Sequence, residues 1–356
     1  MIRYYRYFVE MSISRYKDYV DKRSCILDNR KESEAIPLKE LTVNKNDAGQ
    51  RLDRFVGKAV PLLPESLLQK YIRLKRIKVN GKGSKRDYHV VQGDILQLYI
   101  NDEFFEKPRE ENSYLKVSTP RLNIVYEDEN ILLADKKPGV LCHSAGQWDY
   151  NTLIANIQAY AYQKGEWNPR GEHSFAPALC NRIDRNTGGI VIAAKNAEAL
   201  RILNDKIKDR EIDKFYLCAV HGRPSPKEGM LTGYIFKDAK KNQVYVKKQP
   251  EPGAKLSQTK YKVMQTKNNL SLVECELLTG RTHQIRAQMA DAGWPLLGDG
   301  KYGSERKNKQ FGETNGQALY SYKLTFSFKT DAGILNYLNG KTFSVSDIDF
   351  VEKYFG

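Results

Sequence analysis

Asn181-Arg182-Ile183-Asp184-Arg185-Asn186-Thr187-Gly188-Gly189-Ile190-Val191-Ile192-Ala193-Ala194-Lys195 is the stretch on which the reading of this chain turns. The apolar run 190–194 reads as a strand, and the Thr-Gly-Gly before it permits positive φ and close approach of a ligand. Asp184 stands between Arg182 and Arg185, and nearby positive charge favours the ionised form of a carboxyl. An ionised carboxylate suits a nucleophile or a general base and disfavours a general acid. On residue types alone, a plain salt-bridge knot at a strand entrance is the better account. A second cluster is needed to shift that balance.

It comes downstream, at Gly280-Arg281-Thr282-His283-Gln284-Ile285-Arg286. Gly280 sits where a strand-like run ends, and Thr282 is a good N-cap for a helix over 282–292. Ile285 and Met289, four apart, would face a sheet. Arg286, one residue further round, could reach the sheet's rim and pair with a carboxylate there; Asp184 is the candidate. Arg281 at the helix start is badly placed for the dipole, so it serves an anionic partner such as a phosphate. His283 has no second His or Cys at ligand spacing, which argues against a metal site. For Gln284 a structural hydrogen bond and a substrate contact remain open. A third element, Lys214-Phe215-Tyr216-Leu217-Cys218-Ala219-Val220, puts Tyr216, Cys218 and Val220 on one strand face. Tyr216 there either stacks on a base or is an ordinary buried strand tyrosine.

The whole chain frames these clusters. At 356 residues the expectation is two domains plus an extension, and 40% hydrophobic residues suffice for a sizeable core. Lys and Arg total 58 against 43 Asp and Glu, a net charge of +15 that suggests a polyanionic partner, nucleic acid first and anionic membrane second. No run approaches the roughly 20 apolar residues of a membrane span. Five scattered cysteines, none in a CxxC pair, fit reduced thiols in a cytoplasm rather than a disulfide frame or zinc site. Cys142, Cys218 and Cys275 lie in apolar runs and read as small core residues.

Residues 1–40 read as a poorly ordered basic extension, 41–100 as a compact unit, and 101–121 as a polar, acidic linker. Residues 122–330 form the larger unit and 331–356 a tail of unassigned role. In the compact unit two short helices precede Ile77-Lys78-Val79-Asn80-Gly81, a strand entering an Asn-Gly turn. Between Lys70 and Arg86 there are eight basic residues (Lys70, Arg73, Lys75, Arg76, Lys78, Lys82, Lys85, Arg86) and no acid. A run of one sign on a folded helix-turn-strand is the footprint of phosphate contacts, which position RNA without reading its sequence. In the larger unit many strands and few helices, not alternating regularly, predict an α+β fold with a mainly antiparallel sheet.

Arg51-Leu52-Asp53, Val79-Asn80-Gly81 and Gly93-Asp94-Ile95 together resemble the S4 (α-L-like) RNA-binding domain. Lys137-Pro138-Gly139, the Asp184 segment, Lys214-Phe215-Tyr216, the 280–286 cluster and Pro295-Leu296-Leu297-Gly298-Asp299 with Tyr302-Gly303 resemble, in that order, the RluA family of RNA pseudouridine synthases. The resemblance implies isomerisation of uridine to pseudouridine in structured RNA, ribosomal first and transfer RNA second, without metal or organic cofactor. It makes Asp184 the catalytic carboxylate, Arg286 its basic partner, Tyr216 the aromatic under the target base, and Arg182 the residue replacing the flipped-out base. Thr187, Arg281 and Ile285 are counted with the RNA-contacting residues, beside Lys70, Arg73, Lys75, Arg76, Lys78 and Lys82. The chain departs from the family where Asn181 replaces the usual His and Gly188 the usual Ser. RNA is the expected partner, no membrane is, and a cytoplasmic monomer is the expected form. Two other readings stand beside this one. A non-catalytic RNA-binding protein could retain the fold. A glycosidase would need two carboxylates about 5–10 Å apart, whereas the key segments read as holding no second acid.

Overall fold

Residues 38–105, 114–146, 149–169, 171–312 and 316–356 are described by the computed structural model, in which two sheets carry the chain. The first belongs to the N-terminal unit. Strand β1 (Leu38–Thr42) is followed by helices α1 (Leu52–Ala59) and α2 (Glu65–Arg73), then β2 (Ile77–Val79), β3 (Lys82–Gly83) and β4 (Ile95–Tyr99). The strands order as β1-β4-β2-β3, every pair antiparallel. Leu52, Phe55 and Val56 of α1 and Leu68 and Ile72 of α2 close on Ile77, Leu96 and Leu98. Asp94 pins the turns by accepting from Asn80 Nδ2 (2.8 Å), Tyr88 Oη (2.9 Å) and Val91 N (2.9 Å).

The larger unit is built on one sheet of eleven strands, and its elements follow in chain order. They are β5 (Ile124–Glu127), β6 (Ile131–Lys136), α3 (Leu153–Gln163), β7 (Ala178–Leu179), β8 (Gly188–Ala194), α4 (Ala197–Lys208) and β9 (Ile212–His221). Next come β10 (Glu228–Asp238), β11 (Gln243–Lys247), β12 (Ala254–Lys267), β13 (Leu270–Leu277), α5 (Gln284–Asp291) and α6 (Glu305–Gln310). The chain closes with β14 (Leu319–Phe326), β15 (Thr342–Ser344) and α7 (Asp349–Phe355). The path runs β11-β10-β12-β13-β9-β14-β8-β6-β5, with β15 on β14 and β7 on β8. Among the described residues only β8 and β14 pair in parallel, at Gly188 with Tyr320 and Gly189 with Ser321. The fold is thus α+β with a mainly antiparallel sheet, as the strand-rich sequence predicts.

Alternation divides the apolar runs between the sheet's two faces. Ile131, Leu133, Ile190 and Ile192 pack with Ala199 and Leu203 of α4, whereas Leu132, Ala134, Val191 and Ala193 pack with Leu153 and Ile157 of α3. On β9 the same rule sends Tyr216, Cys218 and Val220 toward Ile285 and Met289 of α5, and Ala219 toward Leu297 and Phe355. Cys142, Cys218 and Cys275 are buried, as small core residues should be. Among the described residues no helix is long and apolar enough to cross a membrane.

Three boundaries differ from the sequence reading. The basic extension is expected over 1–40, but Leu38–Thr42 is a strand whose edge position leaves it exposed and therefore polar in composition; residues 1–37 lie outside those described. The linker 101–121 is not free along its length. Tyr114 is buried against Trp167, and Arg121 N donates to Asn156 Oδ1 at 2.9 Å. The tail 331–356 is part of the fold: Leu335, Leu338, Ile348 and Phe355 are buried, β15 pairs β14, and Gln265 Nε2 donates to the carbonyl of Phe355 at 2.9 Å. Its anchors are spaced among polar residues without a sustained period, which hides them in the sequence.

Candidate active site

Two loops and one strand converge on an open groove of about 560 Å³, lined by Arg182, Asp184, Tyr216, Arg281, His283 and Arg286 among others. The first loop enters β8. Thr187 N donates to the Asp184 carbonyl (3.1 Å), closing the turn, and the buried Thr187 hydroxyl accepts from Gln317 Nε2 (3.0 Å). Thr187 therefore shapes the loop and is not exposed for RNA contact as expected. Gly188 and Gly189 are demanded by sterics. A Cβ on Gly188 would lie 2.3 Å from the Tyr320 ring, and one on Gly189 2.2 Å from the Ser321 carbonyl oxygen, with φ at +112°. The glycine that stands where serine is usual leaves room for that ring. Asn181 Oδ1 accepts from Ile192 N at 2.8 Å, so it secures the strand.

Lys136, at the end of β6, holds the same loop from below. Its ammonium is buried and donates to the carbonyls of Lys137 (3.1 Å), Val140 (2.9 Å) and Arg185 (2.9 Å). Burial pushes its pKa down to about 8, with Cys142, Asp184 and Asp135 pulling the other way. Arg185 in turn donates from Nε to the Gly139 carbonyl at 3.1 Å, so this guanidinium belongs to the loop's architecture.

The second loop starts α5, and its cap differs from expectation. Thr282 is not the N-cap. His283 is, in the left-handed region at φ 51°, and the helix spans Gln284–Asp291. The cap is replaced by a buried side chain: Gln284 Oε1 accepts from Arg281 N (3.0 Å) and Thr279 Oγ1 (2.8 Å), and its amide donates to Thr259 Oγ1 and the Gln258 carbonyl. Gln284 is thus structural. Ile285 is buried with Tyr216, Cys218 and Met289, so it forms the groove's apolar lining.

Arg286 carries the central contact. Its Nη1 donates to Asp184 Oδ2 at 3.0 Å, while Nε and Nη2 donate to Asp299 Oδ2 (2.7 Å) and Oδ1 (3.0 Å). Burial opposes the charge on Arg286, but the carboxylates of Asp299 and Asp184 outweigh it and raise its pKa. Burial likewise opposes the Asp299 charge, and Arg286 with the amides of Tyr302 and Lys301 holds its pKa low. Asp184 is 28% exposed at its side chain and Asp299 fully buried, so only Asp184 is open to a ligand. The expected cage of three guanidinium groups is in fact one guanidinium and one imidazole. Among the described residues neither Arg182 nor Arg185 forms an ion pair with Asp184, whereas His283 Nε2 lies 3.7 Å from Oδ2. Tyr302 Oη accepts from Val244 N (2.9 Å), leaving its own proton for His283 Nδ1 (2.8 Å). That arrangement assigns the ring proton to Nε2, facing Asp184. Burial lowers the His283 pKa, with Asp184 pulling the other way.

Tyr216 forms one wall of the groove beside Asp184, and its burial raises the phenol to about 12, keeping it neutral. Arg182 is exposed at the mouth. Arg281 donates from Nε to the Leu256 carbonyl (3.0 Å), and its remaining N–H groups are available to an anion. The six cations of the basic run that are counted as RNA-contacting are elsewhere, on the N-terminal unit. Lys70, Arg73, Lys75 and Lys82 are exposed; Arg76 and Lys78 are half-buried over the Tyr71 and Tyr99 rings. None of the six makes an ion pair among the described residues, and Arg73 and Lys75 line a shallow cleft with Lys85 and Arg86. Sequence reasoning missed Lys136, Asp299 and Tyr302 as site residues. Asp299 and Tyr302 lie in a segment the sequence already singles out, where an acid after the apolar 295–298 run is the available signal. The expectation that the key segments hold no second acid fails at Asp299. Its four accepted hydrogen bonds and full burial nevertheless bar it from serving as a glycosidase's acid. No group of residues fit to hold a metal ion occurs among those described.

The chain is similar to known RNA pseudouridine synthases over most of its length. The family model for RNA pseudouridylate synthase matches residues 130–291. An uncharacterized RNA pseudouridine synthase of Mycoplasma genitalium is 32% identical over 291 residues, covering 80% of this chain and 88% of that protein. The ribosomal large subunit pseudouridine synthase C of Escherichia coli is 28% identical over 283 residues, covering 79% and 85%. Among solved structures, human RNA pseudouridylate synthase domain containing 4 superposes with a TM-score of 0.51 at 19% identity over 67% of this chain and 94% of that one, a likeness of fold.

Proposed function

The chain belongs to the RNA pseudouridine synthase family, and from that membership we propose how its groove works and on which RNA. The reaction is isomerisation of uridine in RNA: the N1–C1′ bond breaks, the uracil turns, C5 bonds to C1′, the C5 proton leaves to solvent, and N1 takes up a proton in its place. The catalytic carboxylate is Asp184, and the observation that carries this reading is its 3.0 Å bond to Arg286 at the open end of a groove walled by Tyr216. Arg286, itself clamped by Asp299, orients one carboxylate oxygen and leaves Oδ1 for the nucleoside. Electrostatic groups fixed before the substrate arrives cost no reorganisation during reaction. Tyr216 lies against the uracil, and Arg182 at the mouth fills the space the base vacates. Extruding the uridine costs a few kcal/mol, least from loops or bulges.

The substrate we assign is ribosomal RNA of the large subunit, which the names of several relatives specify for those proteins. The N-terminal unit acts as an S4 domain whose Lys70–Arg86 run grips phosphates. The protein works as a monomer in the cytoplasm, and the isomerisation draws on no cofactor. The test is to map pseudouridines across cellular RNA with and without the gene. Loss of one or a few sites in large-subunit RNA, restored by adding the purified protein, is the expected outcome; loss confined to transfer RNA would move the substrate, and no loss would remove it.

A further inference from the structure

One wall of the groove carries cations that the reading above leaves unused. Lys208 ends α4, Arg210 follows its C-cap, and Lys214 sits on β9 two residues before Tyr216; all three line the groove. Lys208 at a helix C-terminus is favourable on dipole grounds and by itself says nothing. Arg210 is less ordinary, since it holds the left-handed region (φ 61°) just past the helix, where glycine is the usual occupant. Lys214 is half-buried in the wall, and burial lowers its pKa with only Asp213 opposing. Among the described residues none of the three makes an ion pair, and the sole carboxylate lining the groove is Asp184, already engaged by Arg286. A partly desolvated ammonium without a counter-ion is a group that an anionic ligand would satisfy.

We propose that Lys208, Arg210 and Lys214 form a phosphate subsite that grips the RNA backbone beside the everted nucleotide. Residues two apart on a strand are about 7 Å apart, so a phosphate on Lys214 belongs to the nucleotide whose base meets Tyr216 or to its neighbour. Lys208 and Arg210, exposed at the rim, follow the strand outward. This rests on the pseudouridine synthase reading and adds to it the path of the RNA chain.

The experiment uses full-length protein and an unmodified large-subunit ribosomal transcript labelled with tritium at uracil C5, whose release reports isomerisation. Wild type must release tritium; failure on this transcript and on labelled transfer RNA alike would remove the isomerase reading itself, whereas release from transfer RNA alone would move the substrate. With an active wild type, the Lys208→Ala/Arg210→Ala double variant should raise KM for RNA about tenfold and lower kcat by no more than about threefold. Its log–log salt slope of RNA binding should flatten by about 0.7–0.9 for each phosphate the variant no longer neutralises. Lys214→Ala should behave likewise and Lys214→Arg should restore most of the affinity, with thermal unfolding checking that each variant is folded. A wild-type KM and slope in the double variant would overturn the subsite. So would a collapse of kcat at unchanged KM, which would place these groups in the chemistry.

Discussion

Asp184 gains its meaning from residues that its sequence neighbourhood does not show. Arg182 and Arg185, the adjacent cations, turn outward and into the loop, while Arg286 and His283 arrive from a helix 102 residues on in the case of Arg286. The pairing with Arg286 was legible because a cation one position round from Ile285 and Met289 must reach the sheet's rim. Asp299 and Lys136 were not, because what defines them is burial and a partner brought by tertiary structure. Each carries a prediction. Asp299→Asn keeps an acceptor beside Arg286 but removes the charge that holds it, and a displacement near 1 Å can cost about 10²-fold in rate. Single-turnover isomerisation should fall by about that factor with RNA Kd within about threefold; a rate equal to wild type would mean Arg286 needs no second carboxylate. Lys136→Met leaves the carbonyls of Lys137, Val140 and Arg185 without their donor. Urea unfolding should show a loss of about 2–3 kcal/mol, and an unchanged midpoint would remove Lys136 from the loop's support.

At the level of elements, periodic burial was readable and boundary chemistry was not. The fully apolar β8 and the alternating β9 are visible as patterns. Strands β10 and β11 were missed because most of their residues are exposed or half-buried, and their buried hydrophobics, Ile235 and Val244, pack with Ala287 without a sustained apolar alternation. The start of α5 was misread because Thr282 satisfies the usual cap chemistry, yet Gln284 satisfies the loop's donors from inside the helix. Gly188 shows a similar local substitution of means, since the Tyr320 ring occupies the space of a side chain there, and its hydroxyl donates to Asp135 at 2.5 Å. Gly188→Ser should therefore overpack the β8–β14 junction and cost about 1–3 kcal/mol. Thermal unfolding checks it. A serine variant as stable as wild type would show that the ring can shift freely.

For the whole molecule, two units and their junction decide how RNA meets the groove. The strand-rich larger unit and the basic smaller one were apparent in the sequence; their contact was not, since it is made by scattered polar side chains. Asp47, fully buried, accepts from Ser174 N (2.9 Å) and Ser174 Oγ (2.6 Å), and Asn46 bridges to Glu172 (3.0 Å) and Ala197 N (3.2 Å). Burial raises the Glu172 pKa to about 7, with Asp47 adding to it and Asn46 opposing. A carboxyl raised in the folded state contributes stability that is fully present below its unfolded value and is lost as pH rises through the folded value. The junction should thus weaken between about pH 4.5 and pH 7. Glu172→Gln should stabilise the protein by about 1 kcal/mol at about pH 8, after discounting for a half-exposed group, and by nothing near pH 4.5. Denaturant titrations at both values decide it; a pH-independent difference would place the titration elsewhere.

The most direct test of the account is the Asp184→Asn variant, assayed for tritium release from uracil C5 and for RNA affinity on the same transcript. The account predicts no pseudouridine at any enzyme concentration while Kd stays within a few-fold of wild type. Turnover at a rate comparable to wild type would contradict it.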